Sequence, residues 1–114
     1  MNYHKGLLAE SRVADAYRRN GFDVVDMRYR TPHGEIDIVA RHGEKLYFVE
    51  VKSSRTHALA SEMITPRQQR RIQKAALHYI AGKAATMDVD CRFDAALVDA
   101  RGRLKIIPGA MCFD

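Results

Sequence analysis

Two runs rich in β-branched residues, separated by a break that contains a glycine, constrain the fold of this chain most strongly. The first run covers residues 34–40, the second covers residues 47–52, and Gly43 lies in the break between them. This pattern predicts two antiparallel strands joined by a tight hairpin. If the turn is centred on Gly43 and the residue after it, the register places Asp37 directly opposite Glu50.

Two carboxylates and an amine are therefore expected on one face of the hairpin. Opposed residues of an antiparallel pair have Cβ atoms about 5 Å apart, and the strand period of two adds Lys52 beside Glu50. Facing like charges destabilise a hairpin, so a purely structural hairpin gains nothing from this arrangement. A divalent cation between Asp37 and Glu50 would remove the repulsion, and we expect these residues to bind one.

The same residues predict a metal-dependent phosphodiesterase. Carboxylate oxygens suit the hard cation Mg²⁺, or Mn²⁺ in its place, and Mg²⁺ keeps several of its waters. Such an ion lowers the pKa of a bound water and neutralises charge on the scissile phosphate. Lys52 can orient the attacking water or stabilise the transition state. The backbone carbonyl of Val51, between Glu50 and Lys52, is expected as a further ligand.

A predicted amphipathic helix covers residues 3–20, and Gly21 follows it as a left-handed stop. Glu10 violates the apolar pattern because it lies within the inward stripe, three residues after Leu7 and four before Ala14. An inward glutamate either reaches water at the edge of the core or points at the acidic site from the helix side. The facing acids of the hairpin favour the second interpretation.

A later helix is predicted to begin at Thr65, with Pro66 at its first position and Gln68 closing a capping box, and to end at Gly82. Its expected buried stripe consists of Ile72, Ala75, Ala76, Tyr79 and Ile80. A basic ridge on another face consists of Arg67, Arg70, Arg71 and Lys74. The ridge contains no acid for i,i+4 pairing, which favours phosphate contact over a merely solvated face.

The remaining strands predict a mixed sheet. Residues 22–30 are predicted to form a strand with a bulge, residues 91–98 a buried strand and residues 103–107 a final strand, followed by a short tail. The crossover through the later helix permits a parallel pair between the second hairpin strand and the strand after the helix. The expected fold is therefore α/β, one domain over residues 1–114 with helices packed on a mixed β-sheet.

Smaller features complete the expectation. A polar loop over residues 53–57 is expected to be mobile and to lie beside the site, with Arg55 in contact with phosphate. Residues 58–63 are expected to add a short helical turn. Asp94 is expected to pair with Arg92 or with an arginine of a neighbouring strand, in a structural role.

Composition narrows the class of partner. The chain has 114 residues and a net charge of +5, with a pI of about 9.5, which favours a polyanion such as nucleic acid. No apolar run approaches the roughly 20 residues of a membrane span, and the first residues lack the apolar region of a signal peptide. A cytoplasmic protein without a membrane partner is expected. Cys91 and Cys112 lie far apart in the sequence and are expected to be reduced thiols.

The two hairpin motifs resemble those of a known nuclease superfamily. Gly34-Glu35-Ile36-Asp37 and Phe48-Val49-Glu50-Val51-Lys52 are similar to the motifs of the PD-(D/E)XK superfamily, and specifically of its small bacterial YraN-type branch. The resemblance extends over nearly the whole chain. Further matching residues are Gly6, Glu10 and Ala14 in the first helix, Gly21 and Phe22 at the first strand, and residues 92–94 in a later strand.

This resemblance implies a restriction-endonuclease-like core, close to that of archaeal Holliday-junction resolvases. The positions that carry catalysis in those relatives match Glu10, Asp37, Glu50 and Lys52. Two departures concern the surroundings of the site. Ser53 and Ser54 precede Arg55 where the family often has Thr-Arg directly, and Arg67 stands where lysine is common. Neither departure removes a metal ligand.

Three functions are compatible with these residues. The first is a Mg²⁺-dependent endonuclease acting on branched or otherwise structured DNA, in which Asp37 and Glu50 bind metal, Lys52 assists the water and Glu10 supports the metal directly or through its ligands. The second is an accessory protein that binds nucleic acid with little or no turnover. The third is an RNA nuclease that uses the same site. Cutting two strands symmetrically would suit a homodimer with two-fold symmetry.

Overall fold

One mixed sheet with helices on both faces organises the chain. The computed structural model describes residues 3–83 and 89–111, with side chains from residue 6 onward. The elements of these residues are α1 (Tyr3–Arg19), β1 (Asp23–Thr31), β2 (Gly34–His42), β3 (Lys45–Ser53), α2 (His57–Glu62), α3 (Pro66–Lys83), β4 (Cys91–Val98) and β5 (Leu104–Ile107). The strands follow one another across the sheet in the order β1-β2-β3-β4-β5.

The strand pairing confirms the predicted α/β architecture. Strands β1 and β2, β2 and β3, and β4 and β5 pair antiparallel, whereas β3 and β4 pair parallel. The parallel pair arises because α2 and α3 carry the chain back before β4 begins. This arrangement is consistent with the restriction-endonuclease-like core that the resemblance implies.

Each face of the sheet buries its own apolar cluster. Val49 and Val51 of β3 pack with Val13 and Tyr17 on the α1 side. Phe48 points the other way, because successive strand residues alternate, and packs with α3. The predicted stripe of α3 is confirmed, since Ile72, Ala75, Ala76, Tyr79 and Ile80 are all buried. The helices therefore flank the two hairpin strands that carry the acids.

The end of α1 has the geometry that the sequence predicts. Gly21 adopts a left-handed φ of +87°. Its N–H donates to Arg18 O at 3.0 Å, and the N–H of Phe22 donates to Tyr17 O at 3.1 Å. The rings of Phe22 and Tyr17 meet edge to face, with centroids 5.2 Å apart. These contacts form a Schellman motif with its usual hydrophobic partner.

The boundaries of α3 correct two expectations. The N–H of Gln68 does donate to Thr65 Oγ1 at 3.2 Å, as a cap requires. The Gln68 side chain, however, accepts hydrogen bonds from Arg71 and so does not close a capping box. Gly82 does not end the helix, which continues to Lys83. A glycine ends a helix by adopting a left-handed φ, and Gly82 does not have one.

Asp94 holds the predicted tail against the body of the protein. Its side chain is fully buried and accepts hydrogen bonds from Arg92 Nε at 2.8 Å, Tyr17 Oη at 2.6 Å and Gly109 N at 3.0 Å. The expected pairing with Arg92 is confirmed. The tail packs against the protein as far as Met111, the last described residue, which is also buried.

The structure also tests the predictions for the β1 bulge, the short helical turn and the cysteines. The predicted bulge of β1 lies between Val24 and Asp26. The short helical turn is α2, capped by the Thr56 side chain. Cys91 is a free, half-buried thiol, whereas Cys112 and most of the connection before β4 lie outside the described residues. None of the helices in the described part of the chain is long and apolar enough to cross a membrane.

Candidate active site

Asp37 lies at the point where the ladder between β2 and β3 ends. The hairpin has the predicted register, and Ile38 with Val49 is its last pair. One step further, the same register sets Asp37 opposite Glu50. There Asp37 Oδ2 accepts a hydrogen bond of 2.8 Å from the backbone N–H of Val51. The carboxylate of one strand is thus fixed by the backbone of the other, beside the second acid.

Glu50 is buried and contacted by two cations. Its side chain retains 4% exposure. Lys52 Nζ and Arg71 Nη2 each lie 3.4 Å from its Oε1. Lys52 shares a strand face with Glu50 because the strand period is two, whereas Arg71 reaches over from α3. The two cations offset the charge of an acid that faces Asp37.

The position of the Arg71 guanidinium depends on Gly34 and Gln68. Arg71 Nη1 donates to Glu35 O at 3.0 Å. Its Nε and Nη2 donate to Gln68 Oε1 at 3.2 and 3.1 Å. Gly34 has a φ of +114°, and a Cβ at this position would lie 2.6 Å from Arg71 Nη1. A side chain in place of Gly34 would therefore strain the backbone and displace the guanidinium.

Glu10 approaches the two acids from α1. Its side chain is 17% exposed, and within the described residues its buried Oε1 has no hydrogen-bond partner. Burial, followed by the negative charge of Asp37, raises the pKa of Glu10 to about 7. The structure thus brings Glu10 into the field of Asp37, as its position in the inward stripe indicates. A role for Glu10 in catalysis stays a prediction.

Arg28 is a charged neighbour of the site that the sequence does not reveal. Its φ of +52° lies in the left-handed region, which side chains rarely adopt. The ladder between β1 and β2 skips the position where Arg28 would oppose Asp37. Arg28 Nε lies 3.8 Å from both Glu10 Oε1 and Glu35 Oε1. Backbone strain beside charged groups is typical of functional sites.

Burial disfavours the ionised forms of the central pair. It raises the pKa of Asp37 above its ordinary value, against the lowering effects of the Val51 N–H and the Lys52 amine. It also raises the pKa of Glu50, and the charge of Asp37 raises it further. Lys52 and Arg71 oppose this shift without cancelling it. An additional cation between the acids would favour their ionised forms.

The donor set fits a divalent cation that needs few protein ligands. Asp37 and Glu50 supply hard carboxylate oxygens. Oε1 of Glu10, which accepts no hydrogen bond from a described residue, lies close enough for Asp37 to influence the pKa of Glu10. Across residues 3–83 and 89–111, no three His, Cys, Asp or Glu side chains converge closely enough to hold one ion together. Mg²⁺ commonly binds through one or two carboxylates and keeps its remaining waters. Val51 would add its carbonyl from the backbone between Glu50 and Lys52.

Three members of the predicted basic ridge face solvent, and one does not. Arg67, Arg70 and Lys74 are exposed. None of the three forms an ion pair with another described residue. Arg71 is only 29% exposed and points at Glu50. We call the exposed trio the α3 ridge. Arg55 is also exposed, in the connection between β3 and α2, and contact of these residues with phosphate stays a prediction.

Comparison with known proteins finds a family whose model covers the part of the chain that carries these residues. Residues 9–98 match the model of the uncharacterised protein family UPF0102. A UPF0102 protein of Cereibacter sphaeroides strain KD131 is 44% identical over 110 residues, which cover 96% of this chain and 94% of the relative. A UPF0102 protein of Ruegeria pomeroyi is 42% identical over 109 residues, covering 96% and 89%. One from Bradyrhizobium diazoefficiens is 43% identical over 99 residues, covering 87% and 74%.

Proposed function

The chain belongs to the UPF0102 family, and we propose that it is a Mg²⁺- or Mn²⁺-dependent endonuclease of PD-(D/E)XK type. Its proposed substrate is structured or branched DNA, and its reaction is hydrolysis of a phosphodiester bond. The observation that carries the proposal is the pair of acids at the end of the β2–β3 ladder, with Glu50 buried and Asp37 partly buried. A lysine amine lies 3.4 Å from Glu50.

Each residue of the site has a proposed role. Asp37 and Glu50 would hold the ion with the carbonyl of Val51, and Glu10 would support the ion directly or through its ligands. When bound, the ion would supply a water of lowered pKa and neutralise charge on the phosphate. Lys52 orients that water or stabilises the negative charge that builds on the phosphate oxygens. The buried surroundings strengthen these electrostatic contacts.

The proposed nucleic-acid surface begins at the α3 ridge. Arg67, Arg70 and Lys74 project from the helix whose Arg71 reaches Glu50, so a backbone bound along the ridge passes beside the acids. Arg55, exposed in the connection between β3 and α2, is proposed as a separate phosphate contact. Arg71 already donates to Glu35 O, Gln68 and Glu50, so little of its guanidinium is left for a phosphate. Symmetric cutting of two strands would suit a homodimer.

A binding protein with little turnover is the second candidate. The observation that favours it is that two cations of the chain itself, Lys52 and Arg71, lie against Glu50. They could balance the charge of this acid without a metal ion. An RNA nuclease would use the same groups, because the acids and the lysine act on the phosphate and not on the sugar.

Two measurements separate these functions. Linear, flapped and four-way DNA and matched RNA are incubated with Mg²⁺, Mn²⁺ or EDTA, and metal-dependent cleavage of branched DNA supports the proposal. Titration calorimetry of Mn²⁺ then compares the wild type with a double variant, Asp37→Asn and Glu50→Asn. The proposal predicts that the double variant folds and loses metal binding. Equal affinity in both proteins would refute the metal assignment.

A further inference from the structure

A cleft lies between α1 and the carboxyl ends of β3 and β4, and its lining includes Ala9, the residue directly before Glu10. Its volume is about 480 Å³, and its lining includes Ser53, the residue directly after Lys52. It opens on the α1 side of the sheet, whereas the α3 ridge lies on the other side. Ligands of open α/β sheets bind outside the carboxyl ends of the strands, and a volume of this order accommodates a small ligand.

The lining of the cleft is basic. Arg12, Arg55 and Arg101 border it, and none of them forms an ion pair with another described residue. Asp99 also borders it, but its carboxylate is engaged by the N–H groups of Arg101 and Arg103 and by the Arg103 guanidinium, each at 2.9 Å. The positive charge of the three exposed arginines is therefore left for an anion.

Arg12 is held over the cleft by the shape of the loop between β4 and β5. Its Nη1 donates to Gly102 O at 3.4 Å. Gly102 has a φ of +77°, and a Cβ at this position would overlap the Arg12 guanidinium. A carbonyl partner leaves the charge of Arg12 intact, so the contact orients the side chain without neutralising it.

The cleft also offers an apolar surface. Leu8 is 54% exposed and lines the cleft with Ala9 and Val98. An unpaired base can pack on such a surface, whereas the bases of a duplex are stacked and paired and cannot reach it. The combination of arginines with an exposed leucine therefore suits a polynucleotide segment that presents both phosphates and an unpaired base.

We propose that this cleft binds an unpaired strand of nucleic acid that continues from the scissile phosphate. The inference rests on the proposed function and narrows its substrate to a junction between duplex and single strand. Arg12 and Arg101 contact phosphates of the unpaired strand, and Leu8 contacts a base. The α3 ridge, on the opposite face of the sheet, holds the duplex arm.

Binding in EDTA tests this proposal independently of cleavage. Fluorescence anisotropy measures affinity for a forked DNA, a blunt duplex of equal length, and single-stranded DNA and RNA of one sequence. The test variant carries Arg12→Ala and Arg101→Ala. The control carries Arg18→Ala and Arg19→Ala, which remove the same charge from the far end of α1. Leu8→Ser is measured alongside as a change that leaves the charge unaltered.

The test variant is expected to bind fork and single-stranded DNA about tenfold more weakly, and to bind duplex within twofold of the control. The slope of log K against log salt on single strands should flatten by about 0.7 for each phosphate that the variant no longer neutralises. Leu8→Ser should weaken single-strand binding without changing that slope. An accompanying loss of affinity for RNA would extend the site to both polynucleotides. Unchanged fork binding, or an equal loss of affinity for fork and duplex, would overturn the proposal, whether or not the protein cleaves DNA.

Discussion

Arg71 and Lys52 approach the same oxygen of Glu50, each at 3.4 Å, one from α3 and the other from β3. The negative charge of Glu50 is therefore opposed by two cations of the protein itself. Lys52 is attached to the strand that carries Glu50 and stays beside it. Arg71 comes from the helix that carries the α3 ridge. A metal ion that binds between the acids would compete with the Arg71 guanidinium for Glu50.

This competition predicts the effect of removing Arg71. The variant Arg71→Ala should bind Mn²⁺ about tenfold more tightly, because about 1.4 kcal/mol of repulsion between the guanidinium and the ion is removed. Titration calorimetry at one pH and salt concentration measures the affinity. Arg70→Ala is the matched control, since it removes the same charge from an exposed neighbour. Weaker binding by Arg71→Ala than by Arg70→Ala would show that Arg71 supports the metal site.

The hairpin was predictable from the sequence for a physical reason. Strand period and a short glycine-containing turn together fix the register, and the register alone sets Asp37 opposite Glu50. Glu10 was predictable because a charged residue stands out in an apolar helical stripe. In both cases a local pattern determines the position of the side chain.

Arg71 and Arg28 were not predictable in the same way. Helical spacing places Arg71 on the basic face of α3, but the space above Gly34 and the reach of a long side chain turn it toward Glu50. Arg28 lies beside the site because its backbone adopts a left-handed φ within a strand. No local pattern in the sequence predicts that conformation. The cleft beside Lys52 was not predictable either, because it is formed by α1 and two loops that are distant in the sequence.

The raised pKa of Glu10 predicts a pH dependence of stability. Its pKa is about 7 in the folded protein against an ordinary 4.5, so between these values the folded state holds a proton that the unfolded chain has released. Raising the pH through this window therefore lowers the free energy of unfolding. In EDTA, urea unfolding gives the free energy of unfolding of Glu10→Gln minus that of the wild type. This difference should be about 2 kcal/mol larger at pH 8 than at pH 5. Glu62→Gln, an exposed control, should gain nothing, and a Glu10→Gln difference independent of pH would contradict the assignment.

The α3 ridge predicts the salt dependence of duplex binding. Each phosphate neutralised contributes about −0.9 to the slope of log K against log salt. Changing Arg67 and Arg70 together to Ala should flatten that slope by roughly 1 to 2 units and weaken binding across sequences. Anisotropy titrations from low to moderate salt measure the slope. The variant Arg18→Ala and Arg19→Ala serves as the control of equal charge. If both double variants keep the wild-type slope, the ridge is only solvated.

Single-turnover cleavage of branched DNA tests the endonuclease assignment most directly. Wild type, Lys52→Ala and Asp37→Asn are purified identically and assayed with Mg²⁺, Mn²⁺ and EDTA. Lys52→Ala keeps both carboxylates but lacks the amine that we propose acts in the transition state, so its rate should fall by about 10²–10³. Its DNA affinity should change little, because one lysine is one phosphate contact among several. Asp37→Asn should show no cleavage above the EDTA background. Equal rates in all three proteins would contradict the account, since the cleavage would then come from a contaminating nuclease.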